Sequence, residues 1–319
     1  MDGINRRYLL AAGAAFGLLS PRTGLAQSTS LTLLTAAKGS AFLPYGEGLA
    51  KVLAGSGITI EVRESKGSTE NLSTVEAGAS ALGLAFLGSA HQALNGIGPF
   101  AGKRHANVRA LFPMYDTSFQ LISLPDKGQP VTFRALDSKK VGIGPAGGPA
   151  EGYFKGLSEE AGIKPVLVAG SATELAAKLV SGEIDALWQG ASIPIPAFSQ
   201  IADGNAARVF GLTEADVALA LKRFPFLSPS LTPAGVYKGQ SEPIRSVSAW
   251  NVVIANKDLS DAQAYALTKA ILSAPDLASV VGPAARSTRA DNASVNTVVP
   301  YHRGAARYLA EVGVNVRSE

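Results

Sequence analysis

Two segments of the chain repeat one order of elements, and that repeat constrains the fold more than any other feature. In the first, LTLLTA (31–36), PYGEGLAKVLAG (44–55), ITIEVRES (58–65), STENLSTVEAG (68–78) and ALGLAF (81–86) read as strand, helix, strand, helix, strand. In the second, KKVGIGPA (139–146), PAEGYFKGLSEEAG (149–162), KPVLVAG (164–170), SATELAAKLVSGE (171–183) and IDALWQ (184–189) follow the same order. Strands that alternate with helices specify a parallel α/β sheet. GSTENLSTVEAGASAL, from Gly67, and GSATELAAKLVSGEIDAL, from Gly170, both open with Gly-Ser at a helix start. Ser171 and Glu174 have the spacing of a capping box, in which each side chain satisfies one free backbone N–H. With the Gly-Ser pairs aligned, Asn71 falls opposite Glu174, as a weaker cap or as a residue directed at a ligand. Ser68 and Ser171 read as helix caps.

The repeat predicts two α/β lobes of like design with a ligand cleft between them, one starting near residue 28 and one near residue 125. Residues 27–120 with 245–319 form lobe 1, and residues 121–244 form lobe 2. LPDKGQP (124–130) is a polar, proline-bearing connection, and SVSAWNVVIANKD (246–258) reads as a strand that includes Trp250 as packing. A helix capped at Ser260, with Gln263 three residues on, and a last helix in YHRGAARYLAEVG (301–313) complete the chain. In such sheets ligands bind beyond the carboxyl ends of the strands. The loops 36–43, 65–71, 86–91, 144–149 and 189–194 are therefore expected to face one cleft.

Composition excludes several classes. Of 319 residues 46% are hydrophobic and 17% charged, enough apolar material for two such lobes. The net charge is +4, and Asp2 with Arg6, Arg7 and Arg22 supplies +2 of it. No basic stripe with interleaved aromatics appears, so no nucleic-acid partner is expected. With no cysteine there is no disulfide, thiolate metal site or cysteine nucleophile. NRRYLLAAGAAFGLLSPRTGLAQ has a positive start, an apolar run and small residues before a cleavage point after Ala26, the pattern of an export signal over residues 1–26. The Arg6-Arg7 pair fits a twin-arginine signal and equally an ordinary secretory signal that holds two arginines.

Chemistry is not advertised. In TAAKGSAFLPYG (35–46) the lysine precedes the glycine, so the stretch is not a phosphate loop. GIGPAG (142–147) matches a dinucleotide fingerprint letter for letter, but its glycines fall within and at the end of a strand. His91, His105 and His302 lack metal-ligand spacing, no serine sits in G-x-S-x-G, and Asp116 and Asp185 are isolated. No catalytic residue, metal or cofactor is expected. A binding protein whose lobes close on a small molecule fits what remains.

LTLLTAAKGSAFLPYG resembles the opening strand and loop of the TAXI-type solute-binding proteins of TRAP transporters, with Thr35, Gly39, Phe42, Pro44 and Gly46 kept. GSTENL, KKVGIGPAGGPAE, RFPFLSPSLTPAGVYKGQ and VPYHRGAARYLAEVG resemble further family segments in the same order. The resemblance implies a periplasmic receptor of the α/β two-lobed periplasmic-binding-protein (type II) fold, with a ligand cleft between lobes, that delivers a small carboxylate to a separate membrane permease. It implies ligand contacts from Lys38, Gly39, Ser40 and Phe42 in the first loop, from Ser68 and Asn71 in the second, and from Phe86 and Tyr115. From the second lobe it implies Gly147, Gly148, Pro149, Gln189 and Gly190, with Trp188 as a further candidate. Phe86 and Gly88 stand where the family usually has glutamine and aspartate, Pro149 replaces a threonine, and Lys38 adds a charge. These departures point to a monoanionic carboxylate with an aromatic or aliphatic body; Lys38 either pairs with its charge or points to solvent, and Phe86 belongs either to the pocket or to the core. A receptor of an ABC-type importer or sensor with the same fold, and a periplasmic enzyme with a dispersed catalytic cluster, are the alternatives.

Overall fold

The structure is a computed structural model and describes residues 31–38 and 40–318. The export signal expected over residues 1–26, and Gly39, lie outside the described residues. The first repeat is built as β1 (Leu31–Leu34), α1 (Phe42–Gly55), β2 (Ile60–Arg63), α2 (Ser68–Ala77) and β3 (Ala81–Phe86). A helix α3 (Leu87–Asn95) follows at once, and then the long strand β4 (Val108–Ser123). The second repeat is β5 (Lys140–Gly142), α4 (Pro149–Ala161), β6 (Val166–Val168), α5 (Ala172–Ser181) and β7 (Ala186–Ala191). After it come α6 (Pro196–Gly204), β8 (Arg208–Phe210), α7 (Glu214–Arg223), β9 (Leu227–Thr232) and β10 (Ile244–Asn256). The chain ends with α8 (Asp261–Leu272), α9 (Leu277–Val281), 3-10 turns at Pro283–Ser287 and Ala290–Val295, and α10 (Arg303–Glu311).

All ten strands join one sheet path, ordered β2-β1-β3-β10-β4-β7-β5-β6, with β8 added to β4 and β9 to β10. The two repeats appear in it as mirror placements of one unit. In the first, β1 lies between parallel β2 and β3, and β10 runs antiparallel to β3. In the second, β5 lies between parallel β6 and β7, and β4 runs antiparallel to β7. At roughly 3.3 Å per residue, a strand as long as β4 serves both units. It pairs with β10 from Val108 to Phe119 and with β7 from Ser118 to Ile122. The fold is thus the expected two-lobed α/β arrangement, with β4 and β10 joining the lobes. No helix among the described residues is long and apolar enough to cross a membrane.

Burial explains the packing. Trp188 is fully buried, stacks on Phe119 at 5.4 Å between centroids, and donates its indole N–H to the Ala150 carbonyl at 3.1 Å. It is core, not cleft. Tyr153 meets Phe119, Phe224 and Phe226 edge-on or tilted, and a Cβ on Gly88 would lie 2.6 Å from its hydroxyl. Gly88 is therefore a close contact between α3 and α4, and the reading of residues 86–91 as a loop gives way to a helix that starts directly after β3.

Candidate functional site

The site is organised by α2. Its N-cap is Gly67, at φ 93° and ψ −158°, a region open essentially to glycine alone. A glycine cap has no side chain to accept from the first turn, so the leading amides of α2 are left for something else. Ser68 is the first helical residue, not the cap; its hydroxyl accepts from the Phe86 N–H at 3.1 Å and fixes the end of β3. The structural alignment of the repeats is therefore shifted by one residue from the Gly-Ser alignment. Gly67 corresponds to Ser171, and Glu70 corresponds to Glu174, because each glutamate is the third helical residue. Glu70 still reaches back, accepting from the Lys66 N–H at 2.9 Å.

Asn71 is neither cap nor ligand contact. It is fully buried, and its amide nitrogen lies 3.2, 2.7 and 2.8 Å from the carbonyls of Leu34, Thr35 and Leu84. Its carbonyl accepts from the Ser65 hydroxyl at 2.6 Å. One side chain thus ties the ends of β1 and β3 to the loop before α2.

A cavity of about 450 Å3 opens between the lobes at these loops. Of the residues expected to contact a ligand, Ser40, Phe42, Ser68, Phe86, Tyr115 and Gly190 line it. Phe42 and Phe86 meet at 6.0 Å between centroids. Burial pushes the Tyr115 hydroxyl up to about 12, so at neutral pH it is a neutral donor and acceptor. At Gly190 a Cβ would come within 2.3 Å of the Phe119 ring, so only glycine lets the β7 backbone form this wall.

The remaining candidates sit elsewhere. Lys38 is exposed and outside the lining, and its backbone N–H donates to the Glu64 carboxylate at 3.0 Å. Gly147, Gly148 and Pro149 form the start of α4, with Gly148 as N-cap and the Gly147 N–H donating to Glu151 at 2.5 Å. They do not line this cavity. Gln189 lies opposite Gln120 on β4, also outside the lining. Sequence reasoning missed Ala36, Ala41, Gly67, Thr117, Ala191 and Ser192 as lining residues. All but Thr117 fall in loops expected to face the cleft or beside them, and Thr117 lies in a strand the pattern did not reveal. No charged side chain among the described residues lines the cavity. Among the described residues no group of three His, Cys, Asp or Glu could hold a metal. Asp185 accepts from the Lys140 N–H at 2.8 Å, the structural role expected of it.

Two lobes joined by crossing strands, with a cavity between them at helix starts, define the periplasmic-binding-protein class of folds. The chain belongs to the NMT1-like family, whose model matches residues 33–313. Its fold is similar to that of a TctC solute binding protein from Polaromonas without ligand, at a TM-score of 0.56 and 14% identity, over 89% of this chain and 97% of that one. It is also similar to MatC from Rhodopseudomonas palustris with bound malate, at a TM-score of 0.50 and 15% identity, over 89% of this chain and 98% of that one.

Proposed function

We propose that this protein is a periplasmic solute-binding receptor, not an enzyme, that captures a small organic carboxylate between its lobes. We further propose that it is TAXI-type, reaches the periplasm by its N-terminal export signal, and delivers its ligand to a TRAP-type membrane permease. Lobe 1 comprises residues 27–120 with 245–319 and lobe 2 residues 121–244 in this reading. The observation that carries the reading is the uncapped start of α2, set in the inter-lobe cavity beside Phe42, Phe86 and Tyr115. Free first-turn amides and the helix dipole favour an anion there. The aromatic walls favour an apolar body over a second charge. The carboxylate is thereby assigned to the α2 amides and Ser68, not to Lys38. Family membership supports receptor function, as does the malate in the similar MatC structure.

A calorimetric screen of small carboxylates tests this. Monocarboxylates with an aromatic or aliphatic body should bind without being consumed. Ser68→Pro removes one amide and a hydroxyl at a helix position that tolerates proline, and should weaken binding by about tenfold. Tight binding of glutamate with none of apolar acids would overturn the ligand class, and turnover of a bound compound would overturn the receptor reading.

A further inference from the structure

A second cavity, of about 550 Å3, lies on the opposite face of the strands that join the lobes. Thr117 of β4 lines the inter-lobe cavity, whereas its neighbours Asp116 and Ser118 line this one. Successive strand residues point to opposite faces, so the two cavities rest on opposite faces of β4 at residues 116–118, and they adjoin at Tyr115 and Ser192, which line both. The register extends the polar face across three strands. Ser118 pairs with Ser248 and Asp116 with Trp250, while Ser248 pairs with Ser228. The floor is therefore built from the alternating polar positions of DTS (116–118), SPS (228–230) and SAW (248–250). Arg286 and Asn292, from the 3-10 turns, stand on one wall, and the loop at Ser192 on another.

Much of this polarity is unspent. Ser248 is 1% exposed and lines the cavity. Ser228 and Ser230, half-buried, line it as well. The Ser118 hydroxyl donates to one Asp116 oxygen at 2.9 Å, which leaves the other oxygen open. Neither Asp116 nor Arg286 enters an ion pair among the described residues. Trp250, expected from sequence to be packing, adds an aromatic surface to the same lining.

We infer that this back-face cavity is a second small-molecule site, for an uncharged polyhydroxy compound of monosaccharide size. One cation and one anion cancel, so the lining selects no net charge. Serine hydroxyls both donate and accept, which matches a ligand whose own hydroxyls do the same. An indole ring offers its surface to C–H groups between them. The volume falls within the range of small-ligand pockets. Both cavities span the two lobes from opposite faces of the joining strands, so an occupant here braces the lobes against closing over the other cavity.

The full chain would be titrated with D-glucose, D-galactose, D-xylose and myo-inositol, followed by saturation-transfer NMR and tryptophan fluorescence. The chain has only two tryptophans, and Trp188 is fully buried. At least one compound should bind saturably below about 10 mM, with a fluorescence change lost in Trp250→Phe. Ser248→Val should weaken the binding by about tenfold. Arg286→Ala alters an exposed side chain, so its loss of affinity would not reflect a damaged core. Saturable binding by none of the four, or binding unchanged in both variants, would overturn the site. Spin labels at Lys51→Cys and Lys155→Cys, clean in a chain without cysteine, should move apart on saturation. An unchanged or shorter distance would overturn the bracing.

Discussion

Helices α2 and α5 occupy the same place in the two repeats, yet they spend their polar groups differently. In α5 the box is complete: the Ser171 hydroxyl accepts from the Glu174 N–H at 3.3 Å, and the Glu174 carboxylate accepts from the Ser171 N–H at 2.8 Å. Its fourth residue, Leu175, is fully buried in apolar packing. In α2 the cap is glycine, and the fourth residue is the buried amide Asn71. The closed helix start needs nothing from outside, whereas the open one is left unsatisfied beside the inter-lobe cavity. Asn71 then does for the loops what Leu175 does not: it holds two strand ends in register with the cavity wall. With the carboxylate at α2 as proposed, stability and binding capacity are divided between two copies of one unit.

Exchanging the fourth residues is the strongest way to break this division. Leu175→Asn places an amide among Ile122, Leu179 and Leu187 with no partner for it. Lost packing and the buried polar group should together cost about 4 kcal/mol. Asn71→Leu keeps the volume roughly but removes two amide hydrogens shared among three carbonyls and the acceptor of Ser65. A loss of about 3 kcal/mol is expected. Urea unfolding measures both. Equal, small effects from the two exchanges would mean that the fourth position is interchangeable between the copies.

Exchanging the caps is a finer test. Gly67→Ser supplies the hydroxyl that α5 uses, but φ 93° with ψ −158° is closed to serine. The strain should destabilise by about 2 kcal/mol instead of stabilising, and ligand affinity at the inter-lobe cavity should fall with it. A gain in unfolding midpoint on Gly67→Ser would show that the backbone there is free to become a normal cap.

How much of this was legible in the sequence follows from where polarity marks an element end. β3 is found over residues 81–86 as read, and α4 starts at Pro149 and stops before Gly162 because those residues punctuate it. β4 escaped because Pro113, Asp116, Ser118 and Gln120 break its apolar run. Their polarity is used inside the protein, where Gln120 donates to Thr232 at 2.7 Å and accepts from the Tyr237 hydroxyl at 2.7 Å. α3 escaped because it follows β3 without a linker and opens on Leu87, Gly88 and Ser89. The letters Gly-Ser aligned the repeats one residue out, since a helix start is set by backbone angles and not by the serine. The direction of Lys38 had no sequence signal, because exposure depends on which loop packs against it. Of the six lining residues that were foreseen, all but Tyr115 stand at strand ends or helix starts, where the repeat itself locates the cleft, and Tyr115 lies inside β4.

The smallest effect concerns charge in the closed copy. Hydrogen bonds from the Ser171 backbone and then its side chain hold the Glu174 carboxyl below its ordinary value of 4.5. A depressed native value means that the ionised form is favoured by folding. The contribution is complete above the ordinary value and is lost as pH falls through the lowered one. Glu174→Gln retains an acceptor for the Ser171 N–H but does not titrate, so it isolates the charge. Thermal unfolding from pH 7 to pH 3 should show the wild type slightly more stable at neutral pH, with the gap closing below the ordinary carboxylate value. Glu174 is fully exposed, so added salt should narrow the gap at neutral pH. A gap that widens on acidification would mean that the carboxylate opposes the closed cap, and the contrast with the open start of α2 would have to rest on Ser171 alone.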